Sequence, residues 1–81
     1  MANDFLIAIN IRCEIEEFIK LLDKAQISFF DHRVEKPKIY YDEQTYIVFD
    51  TNETRQTLIE KINNFPEIKK EINEINFCKR Y

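Results

Sequence analysis

The stretch that decides the fold is residues 5–25, FLIAINIRCEIEEFIKLLDKA, because one periodicity replaces another within it. In residues 5–13, every second side chain is apolar or small, which is the pattern of a half-buried strand. The side chains that share this face are Phe5, Ile7, Ile9, Ile11 and Cys13. From Ile15 to Ala25, apolar residues recur every three or four positions, as on the buried side of a helix. The sequence therefore predicts a strand followed directly by an amphipathic helix.

The middle of the chain contains further strand-forming residues around one clear turn. Residues 27–34 are rich in β-branched and aromatic side chains, which favours a second strand. The turn follows at EKPK, residues 35–38, where proline lacks the N–H donor that a central strand requires. Residues 39–50 fit two arrangements: one long strand, or a hairpin that turns at residues 42–44. Residues 45–49 form a strand in either case.

The last third predicts a second helix and an end of uncertain form. Asp50 and Glu53 have the spacing of a capping box, and Pro66 stops the helix or starts a new turn. The apolar stripe of this helix consists of Leu58, Ile59, Ile62 and Phe65. Residues 66–81 fit a short helix or a strand, and the run from Ile75 to Cys78 favours a terminal strand.

These elements give the order β-α-β-β-α-β in one domain, residues 1–81. An α+β ferredoxin-like plait has this order, with an antiparallel sheet and two helices on one face. Thirteen isoleucines, seven phenylalanines and four tyrosines supply the apolar volume for its core.

The absence of glycine from all 81 residues excludes several chemistries. Phosphate loops, dinucleotide fingerprints, the nucleophile elbow and the calcium loop each need glycine for a close approach or a sharp turn. Cys13, Cys78 and the single His32 do not make a four-ligand zinc site, and both thiols are expected to be small core residues. They would form a disulfide only if neighbouring strands brought them together. We therefore predict a protein without catalytic residues, cofactor or metal.

Net charge and hydropathy limit the cellular location of the protein and the classes of partner that it can bind. The net charge is −3, with signs mixed along the chain, so no basic field attracts nucleic acid. No apolar run approaches eighteen residues, and the first residues lack the cationic start of a signal peptide. The sequence predicts a cytosolic protein that does not associate with membranes.

One segment concentrates basic and aromatic side chains, a mixture that protein interfaces favour. Its members are His32, Arg33, Lys36, Lys38, Tyr40, Tyr41 and Tyr46, and Arg80 and Tyr81 repeat the mixture at the end of the sequence. Plait domains also bind RNA through sheet aromatics, but the RNA-recognition consensus contains glycine. Protein contact therefore ranks above RNA, and a purely structural role for the tyrosines is equally compatible with the pattern.

The functional hypothesis is a small protein-interaction module, with a second copy of the chain as one candidate partner. A regulatory module for a nucleotide or amino acid, or an RNA-binding plait, are the alternatives. Abundant Ile, Lys, Asn and Glu without glycine suggest an AT-rich coding genome. That bias suggests, by association alone, a phage or mobile-element accessory that inhibits a host factor.

Overall fold

The computed structural model describes residues 5–39 and 42–79 of the chain. Within those ranges, strands and helices follow one another in the order that the sequence predicts, with a few short additional elements between them. The elements are β1 (Phe5–Ile11), α1 (Ile15–Lys24), β2 (Phe30–Glu35), β3 (Lys38–Ile39), β4 (Asp42–Glu43), β5 (Thr45–Asp50), α2 (Arg55–Asn63), α3 (Pro66–Lys69) and β6 (Ile72–Lys79).

Four strands form an antiparallel sheet in the order β2-β5-β1-β6. Strand β5 separates β1 from β2, and β1 in turn separates β5 from β6, so each β-α-β unit is split by a strand of the other. This interleaving is the pairing expected of a plait. The α+β class and the antiparallel sheet are confirmed; the hairpin β3–β4 and the short helix α3 are additions to the predicted order.

One face of this sheet carries the core. Ile7 and Ile9 of β1 lie opposite Phe49 and Ile47 of β5 and are fully buried. The buried cluster on this face contains Phe5, Ile7, Ile9, Ile11, Phe18, Leu22, Ile27, Ile47, Phe49, Leu58, Ile62 and Ile68. All three helices contribute to it, which confirms that the helices pack on one face. Each fully buried large side chain stabilises the fold by roughly 1.5–3 kcal/mol.

The structure decides between the alternatives for residues 39–50. Lys38 and Ile39 pair antiparallel with Glu43 and Asp42, so β3 and β4 form a hairpin. The single long strand is therefore wrong, and Asp42 and Glu43 belong to strand β4 rather than to the turn. The firm strand is confirmed, because β5 covers Thr45–Asp50.

The end of the chain combines the two forms that the pattern allowed. Pro66 starts the short helix α3, where its missing N–H costs nothing at the first helical position. Ile68 is buried on that helix, whereas Ile72 and Ile75 belong to the eight-residue strand β6. The predicted terminal strand is correct and starts earlier than expected.

Three local predictions are wrong. Thr54, rather than Asp50, caps α2, since its side chain accepts a hydrogen bond from the Thr57 N–H; Asp50 is the last residue of β5. Ile59 is exposed, so the apolar stripe of α2 reduces to two buried residues and the half-buried Phe65. Cys78 is exposed rather than part of the core.

The two cysteines lie far apart along the sheet. Cys78 belongs to the pair Leu6–Cys78 near the start of β1, whereas Cys13 follows the end of β1. Seven residues of strand correspond to roughly 23 Å. Both thiols are free, and a disulfide between them within one chain is excluded.

Candidate interaction surface

The sheet face opposite the helices, here called the distal face, differs in chemistry from the core. Antiparallel register assigns its members, because directly opposed residues point to the same side. They are Leu6, Ala8 and Asn10 of β1, Tyr46 and Val48 of β5, Arg33 and Glu35 of β2, and Glu74, Asn76 and Cys78 of β6. The distal face is thus a small apolar centre with polar and charged side chains around it.

A chain of side-chain hydrogen bonds crosses one end of the distal face. Asn10 donates to Gln44 Oε1 over 3.2 Å, and the Tyr46 hydroxyl donates to the same oxygen over 3.1 Å. Asn73 donates to Asn10 Oδ1 over 3.4 Å, and Arg12 donates to Asn73 Oδ1. Asn10 is only 8% exposed, so this chain satisfies an amide that burial would otherwise destabilise.

The sequence-predicted surface is divided between the two faces. Arg33 lies opposite Val48, and Tyr46 lies opposite Glu35, so Arg33 and Tyr46 are neighbours on the distal face. His32 lies in an irregular part of β2, where Asp31 has a positive φ of 52° and the β2–β5 register shifts between Phe30 and Arg33. His32 contacts Phe29, a ring that packs against the core, at 5.9 Å between ring centroids.

The other predicted residues are more scattered. Lys36 is exposed after β2 and lines a cavity of about 250 Å³, and Lys38 lies in β3. The other residues lining this cavity are Arg12, Cys13, Glu14, Ile15 and Thr45. Tyr40, Tyr41, Arg80 and Tyr81 lie outside the described residues. The prediction that all nine act together remains a prediction.

A second cavity, of about 280 Å³, lies between α1 and α3. Its walls combine three lysines and three glutamates around one leucine: Glu17, Lys20, Leu21, Lys24, Glu67, Lys70 and Glu71. Because positive and negative charges balance along it, this groove does not favour a ligand of either sign.

The ion pair between Lys61 of α2 and Glu53 is hydrogen-bonded to the backbone of the connection between α1 and β2. Lys61 Nζ donates to Glu53 Oε2 over 2.7 Å and to the Gln26 carbonyl over 2.6 Å, and the Ser28 N–H donates to the same Glu53 oxygen. The hydrogen bond from Lys61 lowers the pKa of Glu53, and the hydrogen bond from the Ser28 N–H lowers it further. Partial burial of the carboxylate acts in the opposite direction, but the pKa remains below its ordinary value. Glu53 therefore has a structural role in place of the predicted capping box.

The environment of Cys13 suppresses its reactivity. Burial raises the pKa of this thiol, and the nearby Glu71 carboxylate raises it further. A thiol, unlike a thiolate, is a poor nucleophile and a poor metal ligand.

Sequence reasoning missed the amides of the distal face. The alternation in residues 5–13 assigns no role to Asn10. The signal was there, since Asn10 is the one polar residue between Phe5 and Ile11. Its partners Gln44 and Asn73 are 34 and 63 residues away, so only the strand pairing reveals them.

Comparisons with protein-family models, with curated proteins and with solved structures gave no match. Among the described residues, no three His, Cys, Asp or Glu side chains are grouped so that they could hold a metal ion. In the same ranges, no helix has the length and apolarity needed to cross a membrane.

Proposed function

We propose that this protein is a small cytosolic interaction module without catalytic activity that binds a partner protein through its distal face. The observation that carries the proposal is the composition of this face. It offers an apolar centre, a tyrosine and an arginine within a polar frame, and protein interfaces combine the same groups.

Burial on the distal face supports this use. Leu6, Ala8 and Tyr46 are half-buried, so each retains surface that a partner can cover. Arg33 and Glu35 form an ion pair of 2.8 Å whose side chains remain 59% and 50% exposed. The guanidinium therefore remains accessible to a carboxylate or an aromatic ring of a partner.

Strand pairing and side-chain hydrogen bonds hold this surface in one conformation before a partner binds. Central strands β1 and β5 carry the apolar centre, and the hydrogen bonds of Asn10 with Gln44 and Asn73 fix the polar end. A preorganised surface loses little conformational entropy on binding, which favours affinity from a small contact area.

The compositional bias decides which partner to test first. Proteins of a low-GC bacterium are the first set, because we propose that the chain is a phage or mobile-element accessory that inhibits a host factor. Tagged wild-type protein would be compared with Arg33→Glu and Tyr46→Ala in quantitative capture from nuclease-treated lysate. We expect one protein to be enriched by wild type and reduced about tenfold or more by each variant, as at a binding hot spot.

The matched control places the same charge reversal on the helical side. Lys24→Glu changes the net charge as Arg33→Glu does, at an exposed residue of α1. Capture should survive this change. Equal loss with Lys24→Glu and Arg33→Glu, or capture that disappears after nuclease treatment, would contradict binding of a protein by the distal face.

A further inference from the structure

The two edge strands of the sheet differ in how they present their free backbone. Strand β2 has a bulge at Asp31, mostly charged exposed side chains and a proline two residues after its end, all features that block pairing with another strand. Strand β6 is the longest strand, with eight residues and no proline. Among the described residues, it pairs with β1 alone.

The helix-side residues of β6 are incompletely covered. Ile75 and Phe77 are half-buried, whereas their cross-strand neighbours Ile9 and Ile7 are fully buried. Phe77 contacts the Phe5 ring edge-on at 5.5 Å, and the Arg55 guanidinium lies 5.0 Å from its centroid. Despite these contacts, the apolar surface of the core reaches the free edge of the sheet.

We propose that β6 pairs antiparallel with β6 of a second copy of this chain, on a two-fold axis at Asn76. The interface goes beyond the proposed function, since it uses the sheet edge and not the distal face. The result is a continuous eight-stranded sheet with closed two-fold symmetry. It also places the two distal faces side by side.

The side chains of β6 select this register. With the axis at Asn76, Ile75 lies opposite Phe77 of the second copy on the helix side, twice by symmetry, and each covers the other. Glu74 then lies opposite Cys78 of the second copy, so no like charges face each other. Moving the axis to Glu74 opposes two carboxylates, and moving it to Phe77 places Lys79 opposite Ile75.

Cysteine cross-linking tests the register. Directly opposed residues of antiparallel strands have Cα atoms about 4.5–5.5 Å apart, within the range that a disulfide spans. In a Cys78→Ser background, Asn76→Cys should form a covalent dimer on mild oxidation, because this residue meets itself at the axis. Glu74→Cys with the native Cys78 should also cross-link, whereas Glu74→Cys in the Cys78→Ser background should not.

Charge substitution tests whether the dimer forms without cross-links. Light scattering across a concentration series should give twice the chain mass of 9.9 kDa for wild type. Asn76→Lys should weaken dimerisation about fivefold, because two lysines meet at the axis. Mixing Asn76→Lys with Asn76→Asp should restore it. Asn52→Lys, the same change at an exposed position outside the sheet, should leave the dimer intact.

A wild-type chain that stays monomeric at millimolar concentration would overturn the proposal and leave the β6 edge to a strand of another protein. Cross-linking by Asn52→Cys as fast as by Asn76→Cys would also overturn it. Arg33→Glu and Tyr46→Ala should not change dimerisation. Loss of partner capture with an intact dimer therefore reports on the distal face alone, and loss of the dimer with intact capture reports on β6 alone.

Discussion

The two faces of the sheet are built from the same strands by different means. On the helix side, Ile47 and Phe49 of β5 are fully buried among aliphatic and aromatic side chains. On the distal side, Val48 of the same strand is 6% exposed. The side chains around it on this face include amides, a tyrosine and an ion pair. Burial is therefore similar at adjacent residues, while the groups that produce it are different.

This difference separates stability from recognition. The helix side gains its free energy from apolar area removed from water, which is non-directional and large. The distal side uses hydrogen bonds, whose net contribution is small but whose geometry fixes side-chain positions. A partner surface on the distal face can therefore change in sequence without loss of the fold.

The largest expected effect compares two truncations in β5. Ile47→Ala should lower the free energy of unfolding by about 2–5 kcal/mol, because it leaves a cavity in the fully buried cluster. Val48→Ala removes fewer atoms from the distal side and should cost about 1–2 kcal/mol, at roughly 0.8 kcal/mol per methylene. Urea unfolding of both variants measures the difference. Equal losses would mean that the distal side is packed like a second core.

The next effect concerns the amide chain. Asn10→Ala removes an acceptor and a donor from a residue that is 8% exposed, and should destabilise the protein by about 1 kcal/mol. The matched control is an asparagine that lies outside both the sheet and the proposed dimer interface, Asn52, whose side chain is exposed. Asn52→Ala, at the exposed position outside the sheet, should unfold at the wild-type midpoint. If both variants unfold at the wild-type midpoint, the amide chain does not contribute to stability.

The sequence predicts the faces better than the contacts within them. Period-two alternation in β1 assigns Phe5, Ile7, Ile9 and Ile11 to the core because burial alone enforces that pattern. The same reasoning fails for Cys78, since β6 lies at an edge where a side chain on the distal side remains exposed. Strand order, which decides between centre and edge, depends on pairings between residues 34 or more positions apart in the sequence.

Turns and caps were the least predictable features. Thr54 caps α2 although Asp50 and Glu53 have the spacing of a capping box, because Glu53 instead binds Lys61 and the Ser28 N–H. Without glycine, the positive φ values in the described residues fall on Gln26 and Asp31. Asp is among the residue types enriched at positive φ, whereas Gln is not, so no sequence rule points to Gln26. Among the candidate-surface residues that the structure describes, Arg33 and Tyr46 are the two that come together on the distal face.

A pH-dependent effect should arise on the helix side. The Lys61 hydrogen bond lowers the pKa of Glu53 below its ordinary value of 4.5. The stabilisation from this carboxylate is therefore present above pH 4.5 and is lost as the pH falls through the folded pKa. Lys61→Met should reduce stability by about 1 kcal/mol at neutral pH, since Lys61 is partly exposed.

Thermal unfolding between pH 3 and pH 7 measures this effect. The difference between wild type and Lys61→Met should shrink as the pH falls below 4.5 and through the lowered pKa of Glu53, because protonated Glu53 no longer accepts a charge-assisted hydrogen bond. Lys24→Met, at an exposed position of α1, is the control and should parallel wild type at every pH. A difference that stays constant down to pH 3 would contradict the assigned role of the pair.

The smallest expected effect belongs to the ion pair of the distal face. Arg33→Ala should shift Tm by less than about 2 °C, because both Arg33 and Glu35 keep half or more of their side-chain surface in solvent. The measurement also tests how Val48 becomes buried, since Arg33 is its cross-strand neighbour. A loss as large as that of Asn10→Ala would mean that the aliphatic stem of Arg33 covers Val48. In that case the charge of Arg33 would serve recognition while its methylenes serve the fold, and Arg33→Lys would retain stability but lose the planar guanidinium.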